Sequence, residues 1–109
     1  MSQTNDTGEV RTRQREHVLT ITVDRAAKMN GFTPELFDAL SDALTRLDED
    51  PHLWVGVITF AGPHTTAGLD LPRFAASFAS PGSAAPADTR VDAFALRRRC
   101  RKPVVMAVQ

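Results

Sequence analysis

The loop at residues 61–70 holds the chemistry of greatest interest in this sequence. It reads Ala-Gly-Pro-His-Thr-Thr-Ala-Gly-Leu-Asp, follows a predicted strand and enters a predicted helix opened by Asp70. The first backbone N–H groups of a helix have no intrahelical partner, so this junction suits an oxyanion or another anion. Ala67 and Gly68 are small and allow close approach to the backbone. The spacing is also typical of a plain strand-to-helix turn with a left-handed glycine, and both interpretations stay open here.

The other residue types that commonly do chemistry form no recognisable pattern. The histidines His17, His52 and His64 have no partner at metal-ligand spacing, so we predict no metal site. Gly-x-Ser-x-Gly, Walker-type and Gly-x-Gly-x-x-Gly motifs are absent from the sequence, which argues against the usual hydrolase and phosphate-loop sites. The single cysteine, Cys100, excludes an internal disulfide and fits a reducing, cytoplasmic location.

Composition and charge exclude two classes of partner. The 109 residues hold 13 basic and 13 acidic side chains, so the chain lacks the basic excess needed for sequence-independent nucleic-acid binding. The longest apolar runs, at 53–58 and 104–108, fall far short of the roughly 18 residues that span a bilayer. A basic run at 97–102 fits either a phosphate patch or a solvated helix end, and we favour the helix end. We interpret Cys100, within that run, as a passive residue.

The elements that position the loop are predicted from hydrophobic periodicity. Alternating β-branched residues predict a strand at 17–23, and Thr33-Pro34-Glu35 predicts the start of a helix that ends at Asp50-Pro51. Apolar segments at 54–60 and 104–108 predict two further strands, buried in a parallel sheet. The apolar stripe of the first helix consists of Leu36, Phe37, Leu40, Ala43, Leu44 and Leu47.

Two more helices complete a predicted α/β unit with a three-stranded sheet. One runs from Asp70 to about Phe78 and the other from Asp88 or Thr89 to about Arg99. The polar residues 1–15 predict a disordered tail, and 16–109 a partial domain. Within that domain the Ala-, Ser-, Pro- and Gly-rich segment 79–88 predicts a flexible loop.

Four motifs, in order, resemble those of the crotonase superfamily, the enoyl-CoA hydratases and isomerases, over residues 17–109. Residues 18–32 resemble the family's first strand and its Asn-Arg-Pro-x-x-x-Asn-Ala-Leu turn, and 34–51 the helix after it. Residues 59–71 are similar, without gaps, to the Thr-Gly-x-Gly-x-x-Phe-x-Ala-Gly-x-Asp-Leu loop, and 102–109 to the strand that enters a glycine-rich helix. The resemblance implies an α/β fold, the amino-terminal part of the ClpP/crotonase spiral of β-β-α units, truncated before that helix.

The resemblance implies acyl-CoA thioester chemistry, with no cofactor beyond the coenzyme A thioester that serves as substrate. Two backbone N–H groups would hold the thioester oxygen as it becomes an enolate, and Leu69 matches the residue that supplies one of them. The residues that match the family's coenzyme A contacts are Ala26, Ala27 and Lys28 near the nucleotide, and Ala67, Gly68, Leu69 and Asp70 along the thioester.

The second donor and the two hydratase glutamates are implied to lie beyond the position that matches Gln109. We therefore expect these 109 residues not to catalyse hydration on their own. A catalytically inactive fragment, or an interaction subunit completed by another chain, is the alternative to an acyl-CoA-binding enzyme. For a full-length form the resemblance implies a homo-oligomer, a trimer or a hexamer.

Three positions depart from the family pattern. Ala26 stands for the proline of the turn, Gly31 for the alanine after its asparagine, and Thr65 for the aromatic residue of the loop. Polar groups at Thr65 and Thr66 predict a looser loop or a different acyl group. Leu69 is bulkier than the usual alanine, but its implied role belongs to its backbone and can survive the change.

Overall fold

Four strands form one mixed sheet in the order β1-β2-β3-β4 in a computed structural model, which describes residues 7–79 and 89–109. Strand β1 pairs antiparallel with β2, and β2, β3 and β4 run parallel. Two α-helices and one short 3₁₀ turn connect the strands. The bounds are β1 Glu9–Arg15, β2 Val18–Asp24, the 3₁₀ turn Ala26–Lys28, α1 Pro34–Glu49, β3 Val55–Phe60, α2 Leu71–Ala79 and β4 Val104–Met106.

The core lies between α1 and one face of β2 and β3. Alternate residues of these strands are buried, as the period of a strand requires. Helix α1 lies so close to β3 that a Cβ at Gly56 would be 2.6 Å from Cδ2 of the buried Leu47. The predicted stripe of α1 is confirmed, although Phe37 is only partly buried. The buried strand residues on this face are Leu19, Ile21, Val23, Ile58 and Phe60.

Helix α1 begins and ends where its sequence predicts. Thr33 Oγ1 accepts a hydrogen bond from Leu36 N at 3.1 Å, and Pro34 occupies the first helical position, where its missing N–H costs nothing. At the other end Lys102 Nζ donates to the backbone oxygens of Leu47 and Asp50. Its positive charge therefore lies at the negative end of the helix dipole.

The basic run thus lies against the carboxyl end of α1. Arg98 and Arg101 both donate to the Asp48 carboxylate, which is almost completely buried. These cations do lie at the end of a helix, as predicted. The helix is α1, however, and not the predicted helix ending near Arg99, because the carbonyls and the carboxylate that they contact belong to α1. Cys100 packs, partly buried, against the core.

The segment predicted as a helix up to Arg99 forms turns and bends over its described residues 89–100. Asp92 causes the difference, because its carboxylate accepts hydrogen bonds from the backbone N atoms of Phe94, Leu96 and Arg97 at 2.9, 3.1 and 3.1 Å. Such side-chain capture competes with the helical hydrogen-bond pattern. The same bonds, led by that from Phe94, lower the pKa of Asp92.

Two other predictions about the sheet and its flanks need correction. Residues 9–15 form β1 where a disordered tail was predicted over 1–15, so the sheet has four strands rather than three. Strand β4 is exposed along its length, not buried. Of the predicted flexible segment 79–88, Ala79 ends α2 and the rest lies outside the described residues, as do residues 1–6.

Among residues 7–79 and 89–109, none of the helices has the length and apolar character needed to cross a membrane.

Candidate functional site

The carboxyl ends of β2 and β3 bring two segments together, the turn 25–33 and the loop 61–70. Asn30, which is completely buried, joins them. Its Oδ1 accepts from Arg25 N at 2.8 Å, and its Nδ2 donates to the backbone oxygens of Ala61 at 2.8 Å and His64 at 2.9 Å. The side chain uses three of its four hydrogen-bonding positions on backbone groups, so it fixes the turn to the loop.

An ion pair between a buried arginine and a partly buried aspartate reinforces the same junction. Arg25 is 3% exposed, and its Nη1 donates to Gly31 O and to Asp70 Oδ2, both at 2.9 Å. The Asp70 carboxylate also accepts from Arg73 N at 3.3 Å, as a cap of α2. The hydrogen bond from Arg25 is the main cause of the lowered pKa of Asp70. Asp70 therefore stays ionised at neutral pH and anchors the loop from within.

The backbone at Leu69 has an unusual orientation. Phe32 forms an isolated parallel bridge with Leu69, in which Phe32 N donates to Gly68 O and Asp70 N donates to Phe32 O, both at 2.8 Å. In such a bridge the N–H and C=O of the central residue point away from its partner. Within residues 7–79 and 89–109 the Leu69 N–H has no hydrogen-bond partner.

Gly68 leaves space beside that N–H. Its φ is +95°, a conformation that favours glycine. Apart from its two chain neighbours, no heavy atom of the described residues lies within 4 Å of a Cβ built there. The glycine is thus required by backbone conformation and not by crowding within the protein. A donor without a partner beside an open backbone surface is an arrangement that can bind an oxyanion.

Ala26, Ala27 and Lys28, which were predicted to contact the nucleotide part of coenzyme A, lie against the same loop. Ala26–Lys28 form the exposed 3₁₀ turn. A Cβ at Gly62, whose φ is +78°, would be 3.1 Å from Ala26 Cβ, so this turn contacts the loop directly. Ala67 N donates to Met29 O at 2.9 Å and adds a second tie. The structure therefore brings both groups of predicted site residues to one edge of the sheet.

The two threonines connect the loop to its neighbours by hydrogen bonds. Thr66 Oγ1 donates to Asn30 O at 2.7 Å and accepts from Gly68 N at 3.0 Å. Thr65 bonds in turn to Gln109. Hydroxyl hydrogen bonds thus connect the loop to its neighbours at positions where the family pattern has a ring. The looser loop or different acyl group stays a prediction.

Sequence reasoning missed Arg25 and Asn30 as organisers of the site. Both residues lie in the motif at 18–32. The spacing of a motif does not show, however, that a side chain will be buried and hydrogen-bonded to the backbone of another segment. One sequence signal was available for Asn30: asparagine followed by glycine is a common choice for a left-handed turn. The structure gives Asn30 a φ of +53°.

The three histidines are divided between the two ends of the sheet. His17 stacks on Trp54 with ring centroids 3.7 Å apart, and its Nδ1 is 2.7 Å from the backbone oxygen of His52, at the amino end of the strands. His64 is exposed on the loop at their carboxyl end. His17 and His52 thus lie together at one end of the sheet, and His64 lies at the other.

Comparisons with known proteins identify the family of this chain. The family model for enoyl-CoA hydratase/isomerase matches residues 13–109. The enoyl-CoA hydratase EchA19 of Mycobacterium tuberculosis is 33% identical over 100 residues, which are 88% of this chain and 37% of that protein. A probable enoyl-CoA hydratase/isomerase from Mycobacterium abscessus has a crystal structure that is 33% identical with a TM-score of 0.78, over 92% of this chain and 38% of the other.

The crystal structure of enoyl-CoA hydratase EchA1 from Mycobacterium marinum is similar in the same way, with a TM-score of 0.73 at 32% identity over 93% of this chain and 38% of that one. This chain thus spans about 37–38% of the length of these relatives. The resemblance in sequence motifs, the α/β crotonase-type fold and the family match agree. The chain belongs to the enoyl-CoA hydratase/isomerase family.

Proposed function

We propose that this chain binds acyl-CoA thioesters at the sheet edge where β2 and β3 end, with the Leu69 N–H donating to the thioester oxygen. The observation that carries the proposal is the outward-pointing Leu69 N–H, which has no partner in the described chain and lies beside an open glycine. The remaining proposed coenzyme A contacts are Ala26, Ala27, Lys28, Ala67, Gly68 and Asp70.

The chemistry of this donor is electrostatic. When a thioester is converted to its enolate, negative charge collects on the oxygen, and a preoriented N–H stabilises that charge more than it stabilises the neutral carbonyl. Removal of one such donor typically costs 10²–10³ in rate. The Arg25–Asp70 pair and the Asn30 network hold the donor in place, so little reorganisation is needed.

The charges near the proposed nucleotide-binding end of the site suit the phosphates of coenzyme A. Lys28 is exposed at the last turn of the 3₁₀ segment, where its ammonium group is available to a phosphate of coenzyme A. The carboxylates of Asp24 and Asp70 already have arginine partners, Arg11 and Arg25. These pairs reduce the repulsion that an anionic ligand would meet at this edge.

Substitution of Leu69 by proline tests the donor directly. Leu69→Pro removes an N–H that makes no internal hydrogen bond, whereas Leu69→Ala keeps it. We expect the wild-type chain and Leu69→Ala to bind butyryl-CoA about tenfold more tightly than the thioether S-butyl-CoA, which has no carbonyl oxygen. Leu69→Pro should bind both ligands equally. Isothermal titration calorimetry, with free coenzyme A as a reference and circular dichroism as a check of folding, measures this.

A thioester preference that survives in a folded Leu69→Pro chain would show that another group binds the oxygen. Equal binding of the two ligands by the wild-type chain would refute the proposed function itself.

The exposure of β4 favours a second candidate function, that of an interaction subunit. Val104, Val105, Met106 and Val108 are 39–69% exposed, and no charged residue interrupts the strand. An uncharged apolar edge strand is suited to pair with another chain. Under this function we expect the purified chain to self-associate and Val105→Lys to sediment as a monomer. Sedimentation velocity tests it, and a monomeric wild-type chain would count against it.

A further inference from the structure

The end of the chain beyond β4 is tied to the loop that carries Leu69. Gln109 N donates to Thr65 Oγ1 at 2.7 Å, and Gln109 Nε2 donates to Gly62 O at 2.8 Å. Ala107 N donates to Ile58 O at 2.9 Å, so this segment still follows the sheet. The segment 107–109, which follows β4, therefore holds the loop on one side.

The loop is anchored on its other side by the adjacent threonine. Thr66 Oγ1 bonds to Asn30 O, which belongs to the turn after β2, and to Gly68 N within the loop. Neighbouring hydroxyls thus point to opposite sides, one to the β2 side and one to the β4 side. Leu69 follows these anchors, four residues after Thr65 and three after Thr66.

We propose that Thr65 is a positioning residue for the thioester site, acting through its hydroxyl on the loop and not on the ligand. This inference rests on the proposed function. The Thr65–Gln109 bond sets the position of the Leu69 N–H relative to the carboxyl end of β4. A hydrogen-bond donor is effective only when its direction is held, and small displacements of such groups are costly. Neither valine nor a phenyl ring can accept from the Gln109 amide as this hydroxyl does.

The test compares isosteric variants in the full 109-residue chain. Thr65→Val removes the hydroxyl and keeps the shape, and Thr65→Ser restores the hydroxyl. Thr22→Val is the matched control, since its hydroxyl bonds to Thr59 Oγ1 at 2.9 Å between β2 and β3, outside the loop 61–70. Gln109→Leu removes only the bond to Gly62 and keeps the backbone donor.

The readout is the ratio of affinities for butyryl-CoA and S-butyl-CoA, measured by calorimetry on chains that circular dichroism shows to be folded. Thr65→Val is expected to lower this ratio about three- to tenfold, the value of one hydrogen bond, with the affinity for free coenzyme A unchanged. Thr65→Ser and Thr22→Val should keep the wild-type ratio, and Gln109→Leu should lower it less than Thr65→Val. A purely structural role would weaken all three ligands alike, and that result would overturn the proposal.

Amide hydrogen exchange separates failure of this inference from failure of the proposed function. Exchange at the Gln109 N–H is expected to accelerate at least tenfold in Thr65→Val and to stay unchanged in Thr22→Val, whether or not a ligand binds. Unchanged exchange in Thr65→Val would refute the contact on which the inference depends. A wild-type chain with no thioester preference would instead refute the proposed function.

Discussion

Asn30→Ala is expected to lower the free energy of unfolding by about 3 kcal/mol, the largest effect that we predict for a single substitution. The change leaves Arg25 N, Ala61 O and His64 O without the side chain that satisfies them. It also places an alanine at a φ of +53°, which costs of order 1 kcal/mol. Urea unfolding followed by circular dichroism measures the difference.

Two further variants divide this effect into its causes. Asn30→Gly removes the same hydrogen bonds but accepts the left-handed backbone, so it should be about 1 kcal/mol less destabilising than Asn30→Ala. Met29→Ala is the control, because Met29 has a φ of +51° and an exposed side chain. Its unfolding free energy should change by less than about 0.5 kcal/mol. A loss below about 1 kcal/mol in Asn30→Ala would show that the network contributes little.

The substitution also carries a functional expectation. Asn30 holds the loop through Ala61 and His64, and its backbone oxygen receives the Thr66 hydroxyl. Without these ties the Leu69 N–H loses its fixed direction. Asn30→Ala is therefore expected to lose the thioester preference at temperatures where it is still folded.

Asp48→Asn is expected to lower the free energy of unfolding by about 2 kcal/mol at pH 7. The side chain is 1% exposed and accepts from Arg101 N and Arg98 Nη2, both at 2.8 Å, and from Arg101 Nε at 3.2 Å. The neutral amide keeps one acceptor oxygen but loses the charge that strengthens these bonds. Both arginines then face a neutral group at position 48, while Arg98 keeps Glu49 as a partner at 3.3 Å. The segment 98–102 therefore loses its ionic bonds to Asp48 of α1.

The sign of the pH dependence follows from the same contacts. The backbone N–H of Arg101, followed by the guanidinium groups of Arg98 and Arg101, holds the pKa of Asp48 far below its usual range in the folded chain. A lowered folded-state pKa stabilises the protein above the unfolded carboxyl pKa of about 3.9, and this stabilisation is lost as the pH falls below it. The stability difference between wild type and Asp48→Asn should therefore shrink between about pH 5 and pH 2.

Asp38→Asn is the matched control on the same helix. Its carboxylate bonds to Arg90 at 3.1 Å but is 67% exposed, so the pair contributes little. The expected change is below about 0.5 kcal/mol. Chemical unfolding at a series of pH values compares the three proteins. A constant difference between wild type and Asp48→Asn down to pH 2 would contradict the assignment.

Local patterns predicted the central elements well. The three- and four-residue spacing from Leu36 to Leu47 and the Thr33-Pro34 start predicted α1 correctly, because burial of a stripe and capping of the first N–H groups are decided within one segment. The strands β2 and β3 follow from alternation for the same reason. The motif at 59–71 also identified the loop that the structure brings to the edge of the sheet.

Strand β1 shows what such patterns omit. It contains a single apolar residue, Val10, so it lacks the alternation that marks a strand. Its formation depends on main-chain pairing with β2 and on Arg46 of α1, which donates to Thr12 and Gln14 on one face. These partners are more than 30 residues away from Arg46 in sequence, and no local pattern reports them.

By itself the sequence determined the family, the order of the central strands and helices, and the loop that holds Leu69, because motif identity and hydrophobic periodicity are properties of contiguous residues. Only the tertiary structure decided that Asn30, Arg25 and Thr65 hold this loop, and that Asp48 at the end of α1 receives the basic run. Each of these contacts joins a side chain to backbone or charged groups of a distant segment. Their geometry exists only once the chain has folded.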